Sequence, residues 1–110
     1  YIGGILAPGV NLSLKTLFDN ASLIPKIKLE KTKRIIGKNT TSAIRAGFYH
    51  GYSGLIDNII KMIIKQTGKS FNIILTGGYS YLFKNSIKKK TIINKNLTIN
   101  GILKAAVFLN

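Results

Sequence analysis

The sequence of 110 residues contains no cysteine and only three acidic residues, Asp19, Glu30 and Asp57. The absence of cysteine excludes a disulfide framework, a thiolate metal site and a cysteine nucleophile. The three acids are far apart in sequence, and we interpret each as a solvated side chain or as one half of a surface pair with lysine. Because two-carboxylate catalysis needs converging acids, we expect neither a catalytic residue nor a metal-binding residue in this chain.

Histidine and long apolar runs are equally scarce. His50 is the single histidine and has no carboxylate near it in sequence, so we interpret it as a packed or surface side chain. The strongest apolar stretch, residues 55–64, is about half of the roughly 20 residues that a membrane-spanning helix needs. The N-terminus shows no basic region followed by an apolar run. We therefore predict a cytoplasmic protein with no membrane partner.

Positive charge is abundant, since 17 Lys and Arg residues give a formal net charge of +14. Only Arg34 and Arg45 are arginines, whereas base readout and bidentate phosphate contacts favour the arginine fork. Lysine is accompanied by many isoleucines and asparagines, which suggests compositional drift of the source genome. We do not expect nucleic acid as the partner, although a basic surface that binds anions stays open as an alternative.

The apolar fraction of 45% is enough for a packed core, and the length fits one domain. The pattern of apolar residues and turn signals predicts an α/β fold with few strands, one long helix and a C-terminal helix. The predicted strands cover residues 2–6, 71–76 and 91–93, with one further brief edge strand allowed within 26–38. The predicted helices cover residues 14–22 (capped by Ser13 and stopped by Pro25), 41–66, 79–85 and 99–109 (capped by Thr98).

Three glycine-containing segments stand out. Gly47, Gly51 and Gly54 lie inside the long predicted helix, where each costs up to about 1 kcal/mol against alanine, so we expect another backbone close by. Thr76-Gly77-Gly78 links a strand to a helix and offers free backbone N–H groups to a phosphate, or a flat surface to a ring. Gly37-Lys38-Asn39-Thr40 opens the long helix with groups suited to a polar ligand. A tight turn explains residues 76–78 equally well, and an ordinary N-cap explains residues 37–40 slightly better than a ligand site does.

The segments occur in a recognisable order: GGILAPG over residues 3–9, GKNT over 37–40, GYSGLID over 51–57, TGG over 76–78 and LTINGI over 97–102. Together they resemble the C-terminal half of type III pantothenate kinase, over essentially all 110 residues. This family belongs to the acetate and sugar kinase, Hsp70 and actin superfamily. Residues 1–110 would then be the C-terminal RNase H-like domain of a two-domain kinase with an actin-like ATPase fold, with the N-terminal half absent.

The resemblance implies ATP-dependent phosphorylation of pantothenate to 4′-phosphopantothenate, the first step of coenzyme A biosynthesis, by a homodimer. It implies that Thr40 contacts pantothenate, that Asn39 shapes the turn beside it, and that Gly77 and Gly78 lie next to the adenosine of ATP. It also implies Mg²⁺ and a monovalent cation, K⁺ or NH₄⁺. The aspartate motifs of the family that bind phosphate, substrate and the cation are absent from this sequence, so we expect the chain to be inactive alone.

Two other interpretations remain open at this point. A non-catalytic basic domain could bind RNA or an anionic surface, and the charge of +14 is its only support. An inactive remnant of the kinase would expose apolar surface that normally meets a partner.

Overall fold

The computed structural model describes residues 1–20 and 27–109. Within these residues, the chain forms four helices and two short strands, which confirms the α/β class. The elements in chain order are α1 (Val10–Asn20), α2 (Thr40–Thr67), β1 (Ile73–Leu75), α3 (Ser80–Phe83), β2 (Thr91–Ile93) and α4 (Leu97–Leu109). The predicted end of the first helix, with Ala21 and the stop at Pro25, lies outside the described residues.

The chain divides into two compact units, Tyr1–Tyr52 and Ser53–Asn110, and the division falls inside α2. Helix α2 ends one residue after the predicted end. Gly68 follows its last residue with a φ of 66°, and the Gly68 N–H donates to the Ile64 carbonyl oxygen at 2.9 Å. A left-handed glycine after the last turn is a common way to end a helix, because only glycine adopts that conformation without strain.

In the first unit, helix α1 starts at Val10, earlier than predicted. Ser13 therefore lies inside the helix rather than in front of it, and its N–H donates to the Gly9 carbonyl oxygen at 3.0 Å. The Tyr52 hydroxyl of α2 lies 2.8 Å from Ser13 Oγ, 3.1 Å from the Pro8 carbonyl oxygen and 3.3 Å from the Gly9 carbonyl oxygen. One tyrosine on α2 thus contacts the turn that precedes α1 and the first turn of that helix.

Residues 27–36 form no strand, although the sequence allowed a brief one. Ile27 and Leu29 are buried, so the segment contributes to the core of the first unit without a strand partner. The Arg45 Nε–H of α2 donates to the Lys28 carbonyl oxygen at 2.9 Å. A side chain therefore provides the hydrogen bond that a neighbouring strand would otherwise give to this carbonyl group.

In the second unit, β1 and β2 pair in parallel, with Ile73 opposite Thr91 and Leu75 opposite Ile93. The connection between them carries α3 and supplies the core residues Leu82, Phe83 and Ile87. Side chains of α2 hold this connection: Ser53 Oγ donates to Ser86 Oγ at 2.8 Å, and the Asp57 carboxylate accepts the Lys88 N–H at 2.9 Å. Among the described residues, the buried apolar side chains are Leu14, Ile27, Leu29 and Ala46 in the first unit and Leu82, Phe83 and Ile87 in the second.

The predicted strand at residues 2–6 is wrong, and the predicted strand at 71–76 is confirmed only over Ile73–Leu75. Residues 2–6 form an exposed segment instead of a buried strand, with Ile2 88% and Leu6 102% exposed. A strand forms only when a neighbouring strand hydrogen-bonds to its N–H and C=O groups. The described strands β1 and β2 pair with each other, and neither pairs with residues 2–6. Strand β1 is shorter than predicted and half exposed at Ile74.

Helix α4 starts at Leu97, before the predicted Thr98 cap, and its described side chains are exposed. Its large exposed apolar residues are Leu97, Ile99, Ile102, Leu103 and Val107.

Within residues 1–20 and 27–109, the close backbone approach expected at Gly47, Gly51 and Gly54 is not found. A Cβ built at any of the three meets no atom within 4 Å among the residues that the structure describes.

Candidate functional site

The loop before α2 presents the first candidate site. Asn39 caps the helix, because its Oδ1 accepts the Ser42 N–H at 2.9 Å and so satisfies one of the free donors of the first turn. Thr40 is the first residue of α2 and is exposed, and its hydroxyl has no hydrogen bond to any described residue. The loop therefore offers a hydroxyl group to a polar ligand.

Gly37 brings this loop against the helix it precedes. A Cβ at Gly37 would overlap the backbone N and Cα of Ala43, in the first turn of α2. Backbone atoms have little freedom to move aside, so the position requires glycine. The loop leading to Thr40 is consequently fixed by backbone packing as well as by the Asn39 cap.

Ser42 is the residue of this loop that the sequence reasoning missed. Its Oγ accepts the N–H groups of Lys38 at 2.9 Å and Asn39 at 3.1 Å, and it donates to the Asn39 carbonyl oxygen at 3.2 Å. A signal was present in the sequence. A short polar residue three positions after an asparagine N-cap matches the spacing of a capping box.

The turn after β1 is the second candidate site and belongs to the other compact unit. Gly77 has a φ of 98°, a conformation that favours glycine, and its carbonyl oxygen accepts hydrogen bonds from the Ser80 N–H at 3.2 Å and Ser80 Oγ at 2.8 Å. A Cβ at Gly78 meets no described atom within 4 Å. The turn is therefore ordered on one side and open on the other, so a flat ring could pack on its backbone.

The lysine run is not at this turn. Lys88, Lys89 and Lys90 are exposed and directly precede β2, whereas Gly77 and Gly78 follow β1. Because the two strands are parallel, these segments lie at opposite ends of the strand pair. The lysines are consequently placed to face solvent rather than a ligand at the glycine turn.

No acidic or metal site forms in the part of the chain that the structure describes. No group of three or more His, Cys, Asp and Glu side chains comes together there. Asp57 is used structurally, as the acceptor for the Lys88 N–H at 2.9 Å. His50 Nε2 lies 3.2 Å from the Arg34 carbonyl oxygen, and its ring meets the Tyr49 ring edge-on, so this histidine is packed as predicted.

No described helix combines the length and the apolar character needed to cross a bilayer.

Comparison with known proteins shows that the relatives of this chain belong to one class of enzymes, the kinases. The family model for type III pantothenate kinase matches residues 1–62. A type III pantothenate kinase of Pelagibacter ubique is 61% identical over 109 residues, covering 99% of this chain and 44% of the relative. Enzymes of the same name from a Sulfurihydrogenibium species and from Brevibacillus brevis are 39% and 33% identical, each over 93% of this chain and 40% of the relative.

The chain belongs to the type III pantothenate kinase family. It spans less than half the length of these relatives and matches their C-terminal part. The resemblance noted from the sequence motifs is thereby confirmed.

Proposed function

We propose that this chain is the C-terminal part of a type III pantothenate kinase and acts in the ATP-dependent phosphorylation of pantothenate to 4′-phosphopantothenate. The observation that carries the proposal is the 61% identity to the Pelagibacter ubique enzyme over 99% of the chain. We assign the chain to the RNase H-like domain of that kinase. The α/β architecture and the parallel strand pair are compatible with this assignment.

In this proposal, Thr40 binds pantothenate through its hydroxyl group. The exposure of Thr40 and the absence of a hydrogen bond to its side chain among the described residues leave the group available to a ligand. Asn39 does not need to touch the substrate. Its side chain caps α2 and so sets the direction in which the neighbouring Thr40 is presented.

Gly77 and Gly78 receive the adenosine of ATP. Support comes from the left-handed conformation of Gly77 and from the open space beside Gly78, where a side chain would otherwise stand between the backbone and the ring. The Ser80 hydroxyl holds the Gly77 carbonyl oxygen, so the turn keeps its shape without a ligand.

Phosphoryl transfer depends mainly on positioning and on electrostatic stabilisation by metal ions and charged groups. The described residues bring together no group of three or more acidic, histidine or cysteine side chains that would hold Mg²⁺. The proposed share of this chain is therefore to bind and orient the two substrates. The catalytic acid and the cations belong to the N-terminal part of the kinase.

We also propose that the complete enzyme is a cytoplasmic homodimer. The faces of Gly47, Gly51 and Gly54 are open in the described residues and leave room for a second backbone.

The test compares the isolated chain with a completed kinase, which we define as this chain preceded by the N-terminal portion of the Pelagibacter ubique relative. We expect no turnover by the isolated chain and pantothenate phosphorylation by the completed kinase. In the completed kinase, Thr40→Ala should raise the KM for pantothenate about tenfold through loss of a substrate hydrogen bond and leave the KM for ATP unchanged. Thr41→Ala, which removes the neighbouring hydroxyl, is the matched control.

Turnover by the pure isolated chain would show that the catalytic machinery is not divided as proposed. A completed kinase that binds neither ATP nor pantothenate would contradict the proposed function itself. A Thr40→Ala enzyme with an unchanged KM for pantothenate would contradict the role of Thr40 alone.

A further inference from the structure

The Ser42 hydroxyl joins the residues in front of α2 to the first turn of that helix. Its Oγ lies 2.9 Å from the Lys38 N and 3.1 Å from the Asn39 N, and it donates to the Asn39 carbonyl oxygen at 3.2 Å. We propose that Ser42 is a positioning residue for pantothenate, which holds the backbone that carries Thr40 without touching the substrate. This inference rests on the proposed function, in which Thr40 contacts pantothenate.

The residues on both sides of Thr40 are joined to one another by hydrogen bonds. Ser42 Oγ accepts from the backbone on the loop side, and the Asn39 side chain accepts the Ser42 N–H at 2.9 Å on the helix side. Thr40 lies between these two residues in sequence. Its backbone is therefore restrained on both sides by a reciprocal pair of side chains, as in a capping box.

Burial does not provide this restraint, because Thr40 is exposed. Ser42 is half-buried, so its hydroxyl is the better-fixed group of the two. Gly37 adds a second restraint at the start of the loop, where its Cα lies too close to the Ala43 backbone for any side chain. Orientation of the Thr40 hydroxyl thus depends on the bonds of Ser42 and on the packing of Gly37.

Loss of the Ser42 hydroxyl should affect substrate binding more than folding. Lys38 and Asn39 are exposed, so water can take the two N–H groups that Ser42 releases. The Asn39 cap on the Ser42 N–H does not involve the Ser42 side chain and remains in place. What is lost is the fixed geometry of the loop, and substrate binding then has to order it.

The experiment uses the completed kinase and measures steady-state kinetics with each substrate varied in turn. We expect Ser42→Ala to raise the KM for pantothenate about five- to tenfold and to leave the KM for ATP unchanged. Ser42→Thr keeps the hydroxyl and should restore the KM for pantothenate. Thr41→Ala removes a neighbouring hydroxyl that has no hydrogen bond among the described residues, and it should behave as the unmodified enzyme.

The outcomes separate this inference from the function on which it rests. If Thr40→Ala raises the KM for pantothenate and Ser42→Ala does not, the inference is wrong and the proposed function stands. If neither variant changes that KM, the assignment of Thr40 and the role of Ser42 are both wrong. Equal rises in the KM for both substrates, or no rescue by Ser42→Thr, would show a general structural role and overturn the inference.

Discussion

Thr91 shows what a single buried hydroxyl does to the second unit. It is 4% exposed at the start of β2, and its Oγ1 has no hydrogen-bond partner in the described part of the chain. A buried polar group without a partner loses its hydrogen bonds to water and gains none in return. The Thr91 hydroxyl group therefore lowers the free energy of unfolding.

We predict that Thr91→Val stabilises the isolated chain by about 1 kcal/mol, because valine has nearly the same shape and no hydroxyl to desolvate. The measurement is the free energy of unfolding from urea titration, with Thr98→Val on the exposed start of α4 as the matched control. A lower stability of Thr91→Val would mean that its hydroxyl has a partner, such as an ordered water.

Helix α2 contains three interior glycines, Gly47, Gly51 and Gly54. Gly51 is exposed, and a Cβ there meets no described atom within 4 Å. Alanine would restrict the unfolded chain and favour the helix, without a clash in the chain as described. The helix thus accepts three interior glycines although nothing within the described residues requires them.

We predict that Gly51→Ala raises the free energy of unfolding of the isolated chain by about 0.5–1 kcal/mol. In the completed kinase, the same change should weaken the dimer if a second backbone approaches this face. Urea titration of the isolated chain and sedimentation of the completed kinase measure the two effects. Destabilisation of the isolated chain would show that the face is already occupied within it. Unchanged dimer stability would exclude it from the interface.

How far the sequence predicts the elements depends on where their stabilising partners are. Helix α2 was predicted to within a residue at each end, since its long apolar pattern and Gly68 are local signals. Strand β2 was predicted with its observed bounds. The prediction of a strand at residues 2–6 is wrong, because a strand depends on a neighbouring strand, which the local pattern of apolar residues does not reveal.

The features of the candidate sites are likewise predictable from the sequence only where local signals define them. The Asn39 cap follows from a polar residue directly before an apolar periodic segment, and the need for glycine at 77 follows from a turn between a strand and a helix. The bonds of Ser42 and the contact of Gly37 with Ala43 depend on the path of the loop, which residue types alone do not define.

The net charge and the exposed apolar side chains have opposite effects on the self-association of the chain. The net charge of +14 makes copies of the chain repel, while α4 exposes large apolar side chains such as Ile102 at 64% and Val107 at 78%. Salt weakens the repulsion, since the screening length falls from about 10 Å at 0.1 M to about 3 Å at 1 M. Burial of apolar surface does not weaken with salt in this way.

We predict that the isolated chain self-associates more strongly as salt concentration rises, and that Val107→Lys reduces this association. Sedimentation across a salt series measures it, with Thr98→Lys as a control that adds the same charge to the same helix. Association that falls with salt would mean that ionic contacts dominate. Retention on RNA or heparin at physiological salt would then support the alternative in which the basic surface binds anions.

The contacts of Tyr52 have a consequence for the order in which the chain folds. Its hydroxyl reaches Pro8, Gly9 and Ser13, which lie 44, 43 and 39 residues earlier in the sequence. Helix α2 can begin from local contacts, whereas these pairings require a long loop to close first. We therefore expect α2 to form early and the turn at Pro8 and Gly9 to become fixed late. Tyr52→Phe should then speed unfolding and leave the folding rate nearly unchanged.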